Sequence, residues 1–222
     1  MFNMPGALEI IPRLAYWSGP PAVAAVLVTA ALLVIAEDRR LLVFALATQY
    51  LFVGLLYTHL LALPIAGIKI MAGLIVWLIV FLSAQQGGWQ PGLTGSGTHG
   101  LWGLGARARF RVFAVILVAL IGWKLATSGV MPFPVASEHV TFGALQLACQ
   151  GLLMLGLTGR PLKTGLGILT FLSGFGLLYS GVEPALLVVG VLAVVDVAVA
   201  LAISYLISVD VTSGRFAHGA KR

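Results

Sequence analysis

EPALLVVGVLAVVDVAVALAISYLI, residues 183–207, decides how the whole chain is read. Past Glu183, its only charged side chain is Asp196. A helix over 184–207 rises about 36 Å at 1.5 Å per residue, enough to cross a hydrocarbon layer of about 30 Å. A surface helix of a soluble domain carries a polar face along its length, and this stretch has none. It therefore reads as a membrane span holding one acid.

Six further apolar runs precede it, at 17–36, 41–62, 64–83, 110–127, 140–157 and 162–180. The 222 residues are 60% hydrophobic and 9% charged, with mean hydropathy +1.06, whereas an ordinary soluble domain is about 25% charged. That excludes a soluble globule, a disordered tail and a nucleic-acid module. The net charge of +6 does not point to nucleic acid either, because the basic side chains lie between apolar runs rather than in one solvated patch. The expected fold is all-α, a polytopic membrane bundle of seven transmembrane helices forming a single domain over 1–222. Within it, 17–83 is a first three-helix unit, 84–109 a glycine-rich loop and 110–127 a linking span. A second three-helix unit occupies 140–207, and 208–222 is a tail.

Ten of the thirteen basic residues fall on one side of the predicted bundle, among them Arg39, Arg40, Arg107, Arg109, Arg111, Arg160 and Lys163. The positive-inside rule makes that side cytoplasmic, with the amino terminus outside and the carboxyl terminus inside. The first 21 residues hold a single basic residue, Arg13, and do not lead into a short apolar core with a small-residue cleavage site. The first apolar run is therefore expected to remain as a transmembrane helix. Pro64 and Pro184 are expected to open the third and seventh helices, since proline in a first turn removes an N–H that has no partner there anyway.

The loop AQQGGWQPGLTGSGTHGLWGLGARAR, residues 84–109, holds eight glycines. It fits either a flexible linker or a surface that docks a partner through Trp89 and Trp102. It is not a phosphate loop, since GxxxxGK[ST] and a preceding strand are both missing. Cys149 is the single cysteine, which excludes an internal disulfide and a cysteine-built iron–sulfur centre. With no metal motif and no catalytic motif, neither a catalytic residue nor a cofactor is expected. A light-driven pump is disfavoured because the seventh helix lacks a lysine for a retinal Schiff base.

An offset of 120 residues lays LLVIAEDRRLLVFALATQY (32–50) over LLMLGLTGRPLKTGLGILT (152–170), with Arg40 on Arg160 and Pro64 on Pro184. Both triplets then run in the same direction, a parallel repeat rather than the inverted repeat of many transporters.

Few polar residues remain inside the spans. Asp196 lies about 18 Å along the last helix from Pro184, near midplane. An isolated acid there costs several kcal/mol unless it is neutral, paired or facing water, so it serves a proton or ion pathway or a structural hydrogen bond. Lys69, about 7.5 Å into the third helix, either faces the bundle as a proton carrier or snorkels to the interface. Glu183 is expected to cap the last helix or to stand at the mouth of a proton path. Lys163 is either a topology anchor or a bridge from the aqueous face to the sparse polar points Gln49, Tyr50, Gln146, Gln150, Thr170 and Ser173, which suit a relay or helix packing.

TGRPLKTGLGILTFLSGFGLLY (158–179) and the 183–207 stretch together resemble the small K-type antiporter-like subunit of respiratory complex I. The doubled three-helix arrangement is similar to the hydrogenase-4 component E family. The resemblance implies a noncatalytic, multi-pass subunit in a prokaryotic inner membrane, built into a proton-translocating arm. Its partners would be antiporter-like or quinone/hydrogenase-arm membrane subunits and lipids. It implies proton-pathway roles for Asp196, in the place of the family's acid, and for Lys69, in the place of its lysine. Thr170 stands where the small subunit carries a glutamate, so a complete acid-to-acid relay is not present. Two other classes stay open: an assembly subunit of another bioenergetic complex, and an independent solute or ion transporter.

Overall fold

The computed structural model describes residues 19–61, 63–86, 106–128, 137–183 and 185–219. They form seven helices: α1 Pro20–Ile35, α2 Arg39–Leu60, α3 Leu63–Gln86, α4 Ala106–Thr127, α5 Glu138–Leu157, α6 Pro161–Val182 and α7 Leu186–Gly219. Six are long and apolar enough to span a membrane, and α1, at 16 residues, falls short of that length. The all-α bundle and its seven elements agree with the sequence reading to within a few residues at most ends. Two ends move further. α4 starts at Ala106 and takes in the predicted loop's arginines, and α7 runs on to Gly219, since extending a formed helix adds one hydrogen bond for each residue ordered. Trp89, Trp102 and Pro184 lie outside the described residues.

The boundaries follow local chemistry. Proline occupies the first turn of α1 and α6, where its missing N–H is harmless. Asp38 caps α2, its Oδ1 accepting from the Arg40 N–H at 3.0 Å. Glu183 lies at the carboxyl end of α6, its N–H donating to the Tyr179 carbonyl at 3.0 Å. This corrects the expectation that Glu183 caps the last helix: α7 begins only at Leu186.

The chain runs up and down, so the α1–α2 turn, the starts of α4 and α6 and the α5–α6 turn share one end, which is basic. Arg111 of α4 donates to Glu37 of the α1–α2 turn at 2.9 Å there. Inside the bundle, α1 packs on α5, α2 on α6 and α3 on α7, while α2 also touches α1 and α3, and α6 touches α5 and α7. The α5–α6 contact is the closest. A Cβ placed on Gly174 would lie 2.5 Å from the Ala148 backbone nitrogen, and one on Gly151 2.5 Å from that of Phe171, so the two backbones meet directly. α4 stands at the margin against α5 and α1.

Apolar packing forms two clusters. One, toward the basic end, contains Leu42, Leu46, Val80, Leu166, Leu169 and Ile203. The other, toward the opposite end, contains Val23, Val53, Leu56, Ala144, Leu177 and Val189. Meanwhile Leu187 and Val194 are 75% and 69% exposed while Gln49, Lys69, Gln146, Thr170 and Asp196 are buried. Apolar surface of that extent facing outward, over a polar interior, suits lipid rather than water. The chain is a multi-pass membrane protein.

Candidate functional site

Lys69 and Asp196 meet inside the bundle. α3 carries Lys69 between Ala66, in the cluster toward the opposite end, and Val76, in the basic-end cluster; α7 carries Asp196 between Val189 and Ala200 in the same sense. The pair thus occupies the level between the two apolar clusters. Lys69 Nζ donates to Asp196 Oδ2 at 2.5 Å, with the side chains only 4% and 3% exposed. The ammonium also stands 5.9 Å from the centroid of the Tyr57 ring, within cation–π range. Lys69 therefore does not snorkel. Small buried residues on α7, Ala193 and Ala200, let α3 come close enough for the contact.

A polar stripe runs alongside the pair. Tyr50 and Tyr57 of α2 are seven residues apart, as are Ser173 and Ser180 of α6, so each set repeats after two turns on one face. Tyr50 faces Ser173 and Tyr57 faces Ser180, and the Asp196 carboxylate is within electrostatic reach of both phenols. Neither hydroxyl of the two tyrosines closes a direct hydrogen bond, nor do Ser180 Oγ and Gln49 Oε1. Ser173 Oγ instead donates to its own helix at the Leu169 carbonyl, 2.8 Å away. Gln49 Nε2 reaches Thr170 Oγ1 at 3.4 Å, a neutral amide–hydroxyl contact between α2 and α6. Nearer the basic end, the Ser83 hydroxyl donates to Ser204 Oγ at 2.5 Å.

Of the other expected relay residues, Gln146, Glu183 and Lys163 lie apart from this stripe. Gln146 of α5 is fully buried, but a Cβ on Gly122 of α4 would meet its Oε1, so it faces α4, and neither of its amide atoms has a partner. Gln150 is also buried, its Oε1 without a partner; it stands two turns from Gly143, whose added Cβ would meet Val23 of α1 and Leu56 of α2. Glu183 is exposed at the end of α6. Lys163 is buried in the first turn of α6, its Nζ without a partner. It borders a cavity of about 180 Å³ at the basic end. From Lys163 to Thr170 the helix rises about 10 Å, and Leu42, Leu46, Leu166 and Leu169 occupy that interval. Lys163 therefore does not adjoin the polar stripe.

No family model, curated protein or solved structure matches the chain.

The site accordingly rests on its own geometry. Lys69, Asp196, Tyr50, Ser173, Gln49 and Thr170 come together; Lys163, Glu183 and Gln146 do not join them. Sequence reasoning missed Tyr57, Ser180 and the Ser83–Ser204 pair. The seven-residue spacing shared by the tyrosines and serines was the available signal. Chemically, the arrangement offers a buried donor–acceptor pair able to exchange a proton, bordered by hydroxyls with unmet hydrogen-bonding capacity. Buried polar groups in that condition cost about 1–3 kcal/mol each unless water reaches them.

Proposed function

We propose that the chain is a noncatalytic membrane-arm subunit of a hydrogenase or complex I-like assembly, in which Lys69 and Asp196 take part in proton movement driven by redox chemistry in another subunit. The observation that carries this reading is the buried Lys69–Asp196 pair bordered by unpartnered hydroxyls. A buried ion pair is weak support for stability alone, because well-packed apolar residues of similar volume serve as well or better. A proton passed from Lys69 Nζ to Asp196 Oδ2 leaves an amine and a carboxylic acid, both neutral, so the transfer adds no net charge to the bilayer interior. Asp196 takes its proton from the basic, cytoplasmic side past Tyr50 and Ser173, through water held by their hydroxyls. Lys69 releases one to the opposite end past Tyr57 and Ser180, and transfer from Asp196 back to Lys69 restores the charged pair. The missing acid at Thr170 is supplied by partner antiporter-like subunits.

The same proposal takes the chain as a doubled three-helix unit with its amino terminus outside and its carboxyl terminus in the cytoplasm of a prokaryotic cell. The pairing of α1 with α5, α2 with α6 and α3 with α7 supports the doubling. So does the spacing of two cross-bundle contacts: Gln49–Thr170 and Ser83–Ser204 each join residues 121 apart, one residue from the 120-residue offset of the sequence alignment. The cluster of arginines at one end supports the orientation.

The test is Asp196→Asn in the purified complex, reconstituted in vesicles. Protons moved per electron are expected to fall while isolated redox turnover persists. Unchanged coupling with normal assembly would sink the proposal. A second reading, a structural tie between α3 and α7, is favoured by the same short contact; it predicts that Asp196→Asn disturbs assembly without altering coupling in the complexes that form.

A further inference from the structure

The cavity of about 180 Å³ at the basic end lies between the α1–α2 turn and the starts and ends of four helices. At ~30 Å³ per molecule it has room for about six waters. Its rim carries Arg39, Arg160 and Lys163, and its inner wall is Leu42, Ala84 and Ile207. Among the described residues one carboxylate lines it, Glu37, and Arg111 holds that group at 2.9 Å. Arg160 and Lys163 thus border a partly enclosed space without a carboxylate partner of their own among the described residues.

Lys163 is the decisive residue. Its side chain is buried, 3% exposed as a residue, and Nζ has no partner among the described residues. Surface lysines that merely set topology stay in water; an ammonium held inside without a counter-charge requires one. The α6 amino terminus opens on the same space. Arg160 supplies no side-chain cap, so first-turn amides of Leu162 and Lys163 lack intrahelical acceptors and favour an anion. Ammonium, guanidinium and amides together match the oxygens of a phosphate group.

We propose that this cavity is a phosphate-group site that holds the headgroup of an anionic phospholipid at the basic face of the bundle. The apolar inner wall favours a lipid over a free ion: Leu42, Ala84 and Ile207 line the space, and beside Ala84 and Ile207 in sequence Leu82 and Leu206 are exposed on α3 and α7, where an acyl chain can lie. The assignment is independent of the proton-transfer reading, because an apolar layer separates Lys163 from the Lys69–Asp196 pair.

The full chain, purified in mild detergent, is titrated with dioleoyl phosphatidylglycerol or dioleoyl phosphatidylcholine and bound lipid is counted by native mass spectrometry. The anionic lipid is expected to be retained in preference to the zwitterionic one. Lys163→Met is expected to weaken its binding about tenfold or more, the scale of one lost charge-assisted hydrogen bond. Lys163→Arg should retain most of it, and Lys124→Met, at the opposite end, all of it. Arg160→Gln, at an exposed position, should also weaken binding and carries the test if Lys163→Met does not fold. Inorganic phosphate is the competing probe: displacement of the lipid shows that a free phosphate fills the same site, and no displacement assigns the site to lipid. Equal retention of both lipids, or unchanged binding in both Lys163→Met and Arg160→Gln, overturns the proposal.

Discussion

Breaking the Lys69–Asp196 pair from one side should cost more than removing it altogether. Lys69→Met leaves Asp196 between two apolar clusters with its partner gone, 3% exposed and far from bulk water. Truncating one member of a buried pair costs about 3–5 kcal/mol in water-soluble proteins. Two effects reduce this in a bilayer: the acid takes up a proton, and unpacked helices in lipid find other polar partners, which holds measured interhelical hydrogen bonds to about 0.6 kcal/mol on average. A loss of about 2–3 kcal/mol is expected for Lys69→Met, between those limits. Asp196→Leu alone should cost as much, since it leaves the lysine buried and uncompensated. The double variant Lys69→Met with Asp196→Leu restores apolar continuity, and should return to within about 1 kcal/mol of the parent. The assay is unfolding in bicelles, read as a double-mutant cycle, with an expected coupling of about 3–6 kcal/mol, the two single losses less that of the double variant. A Lys69→Met protein as stable as the parent would refute the reasoning, as would a double variant no more stable than the weaker single one. If the double variant is stable yet uncoupled in the assembled complex, the pair is kept for proton movement rather than for packing.

Three further outcomes are expected. Gly174→Ala forces a methyl against the α5 backbone, 2.5 Å from the Ala148 nitrogen and 2.6 Å from the Ala144 oxygen, and should destabilise the bundle by about 1–3 kcal/mol in a detergent melt. Gly190→Ala, with open space around the new Cβ, should instead stabilise α7 by up to about 1 kcal/mol, as alanine is the better helix former. With Cys149 replaced by serine, an impermeant maleimide applied to intact cells should label Ser128→Cys at the outer end and spare Gly159→Cys at the basic end; the opposite pattern reverses the proposed orientation.

Hydropathy made the helices legible because each span must satisfy its backbone internally and face lipid, so length and apolarity alone mark it. Ends were harder. Arg107 and Arg109 read as loop by charge, yet the helix backbone of α4 begins before them, at Ala106. Glu183 read as an N-cap because a proline follows it, whereas the carboxyl end of α6 claims its backbone through Tyr179. Lys69 shows what depth along one helix cannot decide. At about 7.5 Å into α3 it could reach the surface or the interior, and the choice is made by Asp196, 127 residues away. Gln146 looked like part of the same polar row as Gln49, but helix azimuth turns it toward Gly122 on α4. Tyr57 was lost for a related reason: a tyrosine near a helix end reads as an interfacial ring, and only the approach of α3 and α6 encloses it.

The spacing of polar and apolar levels also constrains how the site can work. From the basic end inward there is the cavity with Lys163, then about 10 Å of leucine-lined interior, then Gln49 and Thr170, and beyond them Tyr50, Ser173 and the ion pair. A proton crossing the leucine layer needs a chain of about three or four waters, at roughly 2.8 Å between oxygens. Each buried water needs two to four polar partners; between α2 and α6 the leucine side chains offer none, and the Ser83 and Ser204 hydroxyls, on α3 and α7, are already bonded to each other. On the proposed reading, the resting bundle closes the route to its basic end and leaves the pair above it, as expected of a gated element rather than an open channel. Reconstituted alone, the chain should leave a pH gradient across vesicles intact. Conduction then requires α2 and α6 to separate enough to admit water between Leu46 and Leu166, a movement that force from a neighbouring subunit can supply. Leu46→Ser together with Leu166→Ser would give those waters partners, and should make the isolated chain leak protons. That leak should disappear again when Asp196→Asn is added, because among the described residues the pair is the only charged station at that level beyond the layer. Persistence of the leak would separate the route from the pair.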